Sequence, residues 1–408
     1  MDRDWVLHVL DTISGFSRGE IGITRLALSE EELKARGYVT GLMQELGMKI
    51  RVDGIGNIIG RLEGTDPAAA PVIAGSHLDS VPEGGRYDGV LGVVGGLAAI
   101  RRIKAEGKTK HPLELIIFTA EESSRFGYAT MGSKAMAGVA DVKGWTKAKD
   151  PQGVSFPEAL VAAGLPADQI AAASRVGEPI HAFVELHIEQ GPILEDEELS
   201  IGVVEAIAAP TRLKIRVEGT PGHSGTTPMD TREDALVTAA QIVLAVREVT
   251  LARYGEGTVG TVGNLKVHPG VMNVIPGLAE LWVDIRGVDH DSIVEVLQEI
   301  KDEISIIAEA EGTTVSIEVL TSDKPVKLHP LVIGMVENAC RDLKVSYKRM
   351  NSGAGHDAMH MAALGPTGMI FIPCARGISH NPEEAAAPAD IMTGIDVLTR
   401  TLKALAEG

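Results

Sequence analysis

Two kinds of hydrophobic pattern alternate along the chain. Short apolar runs that stop at a polar tip read as buried strands, and longer stretches with apolar residues three and four apart read as helices. Residues 1–50 carry the helical period. Ser29 and Glu32 stand there at capping-box spacing, and Val39, Leu42, Met43 and Leu46 share one face. Residues 48–62 read as a hairpin with glycines at its turns. The run 71–74 then stops at Gly75, and His77 and Asp79 follow at once. A glycine-rich loop delivers Asp88 to the mouth of a helix over 89–106, which Gly107 closes. Leu113–Phe118 is a second buried run, ending in the adjacent Glu121 and Glu122. Residues 138–181 are punctuated by Ala, Gly and Pro, with a short helix over 156–163, and look like an insertion without chemistry. A third run, 182–186, ends in His187, with Glu189 and Gln190 just beyond.

From about residue 209 the pattern changes. It predicts a strand over 213–217, a helix over 231–252, strands over 258–267 and 279–286, a helix over 292–310 and a strand over 314–320. That βαββαβ order is the ferredoxin-like unit, and prolines at 210 and 325 mark its linkers. The remainder returns to α/β alternation. His329-Pro330 opens a helix, NSGAGHDA is a glycine-rich loop with His356 and Asp357, and a strand over 369–374 precedes His380 and a closing helix over 389–406. The expected fold class is therefore α/β: a catalytic domain of residues 1–208 and 326–408, with a mixed central sheet flanked by helices, and an inserted domain of residues 209–325.

Composition narrows the function. A net charge of −18 over 408 residues disfavours a nucleic-acid partner, and aromatics at 3% leave little to stack bases on. Only Cys340 and Cys374 are present and the opening MDRDWVLHVL is not signal-like, so a cytoplasmic location is expected. The apolar run 90–100 falls far short of the ~20 residues needed to cross a bilayer, so no membrane is expected.

Four strands thus end in His77/Asp88, Glu121/Glu122, His187 and His380, and open α/β sheets place their chemistry at that end. Taken singly, each feature is ordinary: a Glu pair in a loop, a His after a strand, Arg286 at a strand end and His223 in a Gly-rich turn are common on surfaces. Their recurrence changes the weighting. Three imidazoles and two or three carboxylates exceed one tetrahedral site and suit two divalent ions bridged by one carboxylate, with Asp88 the natural bridge. Asp79 is placed to accept the other N–H of His77. Neighbouring Glu121 and Glu122 repel each other unless a cation or a proton intervenes, which leaves one free to act as a base.

The motifs GSHLDSVPEGGRYDGVLGV, TAEESSRFG, ELHIEQGPILE, GTPGHSGTTPM, NVIPGLAELWVDIR, NSGAGHDA and GISHNPEE together resemble the M20 family of two-metal amidohydrolases and peptidases. More narrowly they resemble its branch of N-carbamoyl-L-amino acid hydrolases, allantoate amidohydrolases and yeast-type β-alanine synthases. The resemblance covers nearly the whole chain. It implies metal ligands His77, Asp88 (bridging), Glu122, His187 and His380, with Glu121 as general base and Asp79 orienting His77. It places substrate at Gln190, His223, Asn273, Arg286 and the loop Gly353, Ala354, His356, with His223 also stabilising developing charge. It implies two divalent ions, zinc by default with Mn, Co or Ni suitable, and a homodimer formed through the inserted lid. The implied reaction is hydrolysis of the ureido C–N bond of a small N-carbamoyl-L-amino acid, giving amino acid, carbon dioxide and ammonia.

Some positions depart from the family pattern. Ser123 and Ser224 replace a usual Gly and Ala, both mild changes. Allantoate-type members tend to carry an arginine where Thr211 stands. Here Arg212 comes one residue later, on the other face of a strand, which ranks allantoate second. Dipeptidase or aminoacylase activity ranks third. A silent metal-binding scaffold is the competing class, but it would be expected to have lost Glu121 or a ligand, and none is missing.

Overall fold

The computed structural model describes residues 2–408. The chain falls into two compact units. The first runs to Glu205 and includes Leu328–Ser352 and His356–Gly408; the second is Ala206–Lys327 with Gly353–Gly355.

The first unit is built on a mixed sheet. Its strands follow in the order Lys49–Val52, Ile58–Leu62, Leu113–Phe118, Val72–His77, Ala182–Ile188, Thr367–Ile372 and Ile201–Ile207, and Tyr347–Ser352 pairs with the last of these. The four middle strands, Leu113–Phe118 to Thr367–Ile372, are mutually parallel. All four therefore bring their carboxyl ends to one edge. Each is buried along its whole length, as strands covered on both faces must be. Helices Val90–Glu106 and Pro388–Glu407 pack on one another and on these strands, and Pro330–Leu343 packs against Thr367–Ile372. The mixed α/β architecture expected from the sequence is the one observed.

Two local expectations needed correction. The strand expected to stop at Gly75 runs through His77, because the parallel ladder continues as Gly75↔Ile116 and His77↔Phe118. The capping box is only half formed. Ser29 Oγ accepts the Glu32 N–H, but the Glu32 carboxylate turns to the Leu28 N–H and to a buried ion pair with Arg36. Residues 138–181, where no chemistry was expected, pack into the first unit. Trp145, Phe156, Leu160 and Ile170 bury against Ile55, Phe126 and Met131, and Arg175 pairs with the buried Glu114 at 2.7 Å.

The second unit is a four-stranded antiparallel sheet in the order Thr314–Ser322, Ala209–Glu218, Leu278–Gly287, Val259–His268. Helices Ala235–Ala252 and His290–Glu311 complete the βαββαβ order. Burial alternates strictly along Ala209–Glu218 and Leu278–Gly287. Leu213, Ile215, Leu281 and Ile285 thus meet Ile242, Val246, Val296 and Ile300 of the helices, while Arg212, Asp284 and Arg286 share the opposite face, since Asp284 pairs directly with Arg212. By length and composition Ala235–Ala252 is apolar enough to cross a membrane. Its residues Ala235, Ala239, Ile242 and Val246 lie in this core.

Candidate metal centre

The carboxyl ends of the four parallel strands deliver the histidines and acids of the first unit to one place. His77 ends its strand; Asp88 follows on the loop before helix Val90–Glu106; His187 is the second-to-last residue of strand Ala182–Ile188; Glu121 and Glu122 follow Phe118; His380 follows Ile372. Asp88 sits at the middle. Its Oδ1 is 3.5 Å from His77 Nε2 and 3.2 Å from His187 Nε2, and its Oδ2 is 3.1 Å from His380 Nε2. His380 Nε2 is also 3.2 Å from Glu122 Oε1. Two groups of possible ligand atoms result, His77/Asp88/His187 and Asp88/Glu122/His380, each within 4.8 Å and with Asp88 common to both.

The orientation of the imidazoles tests whether cations fit. His77 Nδ1 lies 2.9 Å from the Asp79 carbonyl oxygen and His187 Nδ1 lies 2.8 Å from the Ile188 carbonyl oxygen. A carbonyl oxygen only accepts, so Nδ1 carries hydrogen in both rings and the Nε2 lone pairs are turned toward Asp88. Lone pairs facing a carboxylate at this range require positive charge between them, as protons or as a metal. The same demand shows in the proton affinities. Burial opposes charge on His77, but Glu121, Asp88 and Asp79 outweigh it and raise its pKa well above the ordinary value. Hydrogen bonds to Asp88 and Glu122 raise His380 to about 10. Burial alone would raise Asp88, yet His187, His380 and His77 hold it well below the usual range. The donor set, imidazole nitrogen and carboxylate oxygen, suits a divalent metal.

Asp79 corrects an expectation. It is wholly buried, and its Oδ1 is 3.7 Å from His77 Nδ1, beyond a hydrogen bond. The imidazole uses the backbone carbonyl of Asp79 instead. The carboxylate accepts the N–H groups of Glu121 at 3.2 Å and Glu122 at 3.0 Å, so it seats the acid pair. Burial pushes it up to about 6. Glu121 is buried with Oε2 3.8 Å from His77 Nε2, and burial drives its carboxyl well above the usual range, His77 opposing and Glu122 adding.

Backbone strain is present here. Ala120, Gln190 and His380 all take left-handed backbone conformations, with φ of 51°, 59° and 53°. Non-glycine residues persist in that region only where the surroundings hold them. Gly89, at φ 66°, leaves no room for a side chain: a Cβ there would lie 2.4 Å from the His77 ring. Its N–H points at His187 Nε2, 3.2 Å away.

The residues expected to hold substrate divide between the units. In the first, Gln190 Nε2 donates to Asp88 Oδ2 at 2.7 Å, which leaves its buried Oε1 without a partner. His356 is buried beside His187 with ring centroids 4.6 Å apart, and its Nε2 is 2.9 Å from Ser352 Oγ. Burial, then the His187 charge, lowers its pKa well below the usual value, so it stays neutral. In the second unit, His223 is exposed on a two-residue ribbon paired with Val274, next to Asn273, whose carbonyl accepts the Ser224 N–H at 3.1 Å. Arg286 pairs with Asp284 at 3.0 Å and donates to the Gly353 carbonyl at 3.2 Å; Ala354 follows on that loop. Arg212 pairs with the same Asp284 at 3.1 Å.

Sequence reasoning passed over several buried polar groups. Glu185 accepts Ser76 O–H at 2.8 Å and the Ala358 N–H at 3.0 Å, tying together the segments that carry His77, His187 and His356. Asp357 is buried against Ser133. Buried Glu384 accepts the Asp88 N–H at 3.2 Å, and half-buried Ser379 Oγ lies 3.1 Å from Asp88 Oδ2. The signal for Glu185 was available, since an acid inside a run otherwise apolar has to find partners.

Residues 73–404 match the model of peptidase family M20/M25/M40. The chain is 40% identical over 411 residues to a ureidoglycolate hydrolase of Oryza sativa, covering 99% of this chain and 85% of that one. It is 39% identical over 396 residues to an N-carbamoyl-L-amino-acid amidohydrolase of Paenarthrobacter aurescens, covering 96% and 95%. It is 35% identical over 406 residues to an allantoate amidohydrolase of Escherichia coli, covering 99% and 98%. The crystal structure of an amidase of the hydantoinase/carbamoylase family from Burkholderia multivorans superposes with a TM-score of 0.92 at 36% identity, covering 100% of this chain and 98% of that one. The chain belongs to peptidase family M20/M25/M40, and it is an amidohydrolase, a hydrolase of C–N bonds other than peptide bonds.

Proposed function

We propose that the protein hydrolyses the ureido C–N bond of a small N-carbamoyl-L-amino acid, releasing amino acid, carbon dioxide and ammonia. The observation that carries this reading is Asp88, whose Oδ1 faces His77 and His187 while its Oδ2 faces His380, which is grouped with Glu122. In it, His77 and His187 would hold one divalent ion, Glu122 and His380 would hold the other, and Asp88 would serve both. When bound, such ions supply Lewis acidity, lowering the pKa of water and polarising the scissile carbonyl. Zinc is the first choice, and the donor set equally accepts Mn, Co or Ni.

Glu121 moves the proton. Its buried, raised carboxyl is suited to take a proton from the attacking water at Oε2 and to return it to the leaving nitrogen. Asp79 keeps the Glu121–Glu122 peptide in place while this happens. Gln190 supports a ureido substrate in particular: its unpartnered Oε1 is an acceptor that a ureido N–H would satisfy. His223 is assigned to the charge that develops on the carbonyl oxygen. Arg286, Asn273 and the loop of Gly353, Ala354 and His356 are assigned to the rest of the substrate, with Arg286 on its carboxylate.

Allantoate remains the second reading, on firmer ground than the sequence allowed. Thr211 does turn inward, but Arg212 lies on the same face as Arg286 and shares Asp284 with it. A second guanidinium is therefore available for a second polar end. The second unit is proposed as lid and dimer contact; exposed Leu244 and Leu251 on helix Ala235–Ala252 support the latter. A cytoplasmic location belongs to the reading, supported by two unpaired cysteines.

The test is ammonia release from a panel of N-carbamoyl-L-amino acids, allantoate and ureidoglycolate, with each of the four metals added to chelated protein. Turnover of carbamoyl amino acids above the other two supports the proposal. Preference for allantoate or ureidoglycolate moves the assignment within the ureido class, and inactivity on all three ends it.

A further inference from the structure

We propose that Glu384 is a positioning residue for Asp88: it fixes that side chain so that both oxygens can serve the two clusters at once, and it ties the Asp88 loop to the His380 loop. The inference rests on the two-ion reading above. Glu384 is only 4% exposed, and the chemistry just described gives it no role. Its Oε1 accepts the backbone N–H of Tyr87 at 2.8 Å and of Asp88 at 3.2 Å. Its Oε2 accepts the Ser379 hydroxyl at 2.8 Å, and Ser379 Oγ stands 3.1 Å from Asp88 Oδ2. One carboxylate thus reaches the backbone of Asp88 directly, and it shares with the Asp88 side chain a single hydroxyl, whose one hydrogen serves either carboxylate. That hydroxyl belongs to the residue before His380.

The chain has been shaped around this contact. A Cβ at Gly85 would lie 2.0 Å from Glu384 Cδ, so the loop closes over the carboxylate only because residue 85 has no side chain. A second buried acid beside Asp88 is electrostatically unfavourable, and it persists where several donors converge on it. The demand on Asp88 explains the arrangement. A carboxylate shared by two sites has no freedom to tilt toward one without releasing the other, and losing a group that orients a metal ligand typically costs about 10- to 100-fold in affinity. The far end of the same loop has its own anchor. Glu83 accepts the N–H groups of Ile21 at 2.9 Å and Gly22 at 2.6 Å, which makes it a control for general loosening of the loop.

The experiment is a Co2+ titration of chelated full-length protein, read by calorimetric stoichiometry and by visible absorbance, for wild type, Glu384→Ala, Glu384→Gln, Ser379→Ala and Glu83→Ala. Melting of each metal-free protein is recorded alongside. Wild type is expected to take two ions. Glu384→Ala should weaken at least one of them about 10- to 100-fold and alter the cobalt spectrum. Glu384→Gln should recover most of the loss, because its amide oxygen still accepts the two N–H groups and its NH2 still meets Ser379. Glu83→Ala should lower the melting temperature while leaving cobalt affinity near wild type. Two ions bound at wild-type affinity by Glu384→Ala would overturn the proposal, as would an equal loss in Glu83→Ala. If Glu384→Ala does not fold, Ser379→Ala decides: weakened binding supports the inference and unchanged binding overturns it. Fewer than two ions on wild type would overturn the two-ion reading itself, and the proposal with it.

Discussion

Replacing Asp79 by Asn separates two accounts of that residue. If its carboxylate seats Glu121 and Glu122 through their N–H groups, Asn keeps one acceptor and turns an NH2 toward the other N–H, about 3 Å away. A buried donor left unpaired costs about 1–3 kcal/mol. Against this, the wild-type carboxyl is pushed up to about 6 from an ordinary 3.8. A raised acid binds its proton more tightly when folded, so its cost is complete above pH 6 and fades as the pH falls toward 4. Two units correspond to about 3 kcal/mol, which Asn removes. In metal-free protein at pH 8 the two effects offset to within about 2 kcal/mol. At pH 5 wild type has regained part of its cost, so the variant should compare worse by about 1 kcal/mol. Urea unfolding in chelator at the two pH values measures this. Meanwhile metal affinity should drop about 10- to 100-fold, because Glu122 is no longer held. A variant about 5 kcal/mol less stable at pH 8, or one with full metal affinity and turnover, would refute the reasoning.

Other outcomes follow from the same geometry. Glu121→Gln should keep its metal content and lose turnover by about 10²- to 10⁴-fold, checked by elemental analysis beside the ammonia assay. Gly89→Ala would drive a Cβ to 2.4 Å from the His77 ring; about 2–4 kcal/mol of stability should be lost, together with metal affinity, read by melting with and without metal. Stability of metal-free protein should fall as pH rises from about 6.5 through His380's raised value of about 10, since a raised imidazole stabilises only while protonated. Metal affinity should move the opposite way over the lower part of that range, because ligating imidazoles must be deprotonated.

How far the site was legible depended on whether its signal was local. His77, Asp88, the Glu121–Glu122 pair, His187 and His380 each follow a buried run closely enough for spacing to single them out. What spacing did not give was the order of the strands. That Leu113–Phe118, Val72–His77, Ala182–Ile188 and Thr367–Ile372 are neighbours is settled by tertiary pairing, and it makes the four tips one site. Tyr347–Ser352 went unread because YKRMNS has no apolar run, while IGVVEAI at Ile201–Ile207 is a short apolar run of the kind that reads equally as helix. Side-chain destinations were the least visible. Asp79 was expected on an imidazole and Glu32 on its own cap, yet each found a different backbone N–H, since the partner that wins is the one folding leaves unpaired.

One carboxylate shared between two cations is what the whole account depends on, and electron paramagnetic resonance reads it directly. Chelated protein reloaded with Mn2+ should hold two ions per chain and give an exchange-coupled spectrum, as for ions about 3.5–4 Å apart, with the coupling lost in Asp88→Asn. One ion per chain, or two giving the spectrum of isolated Mn2+, would contradict it.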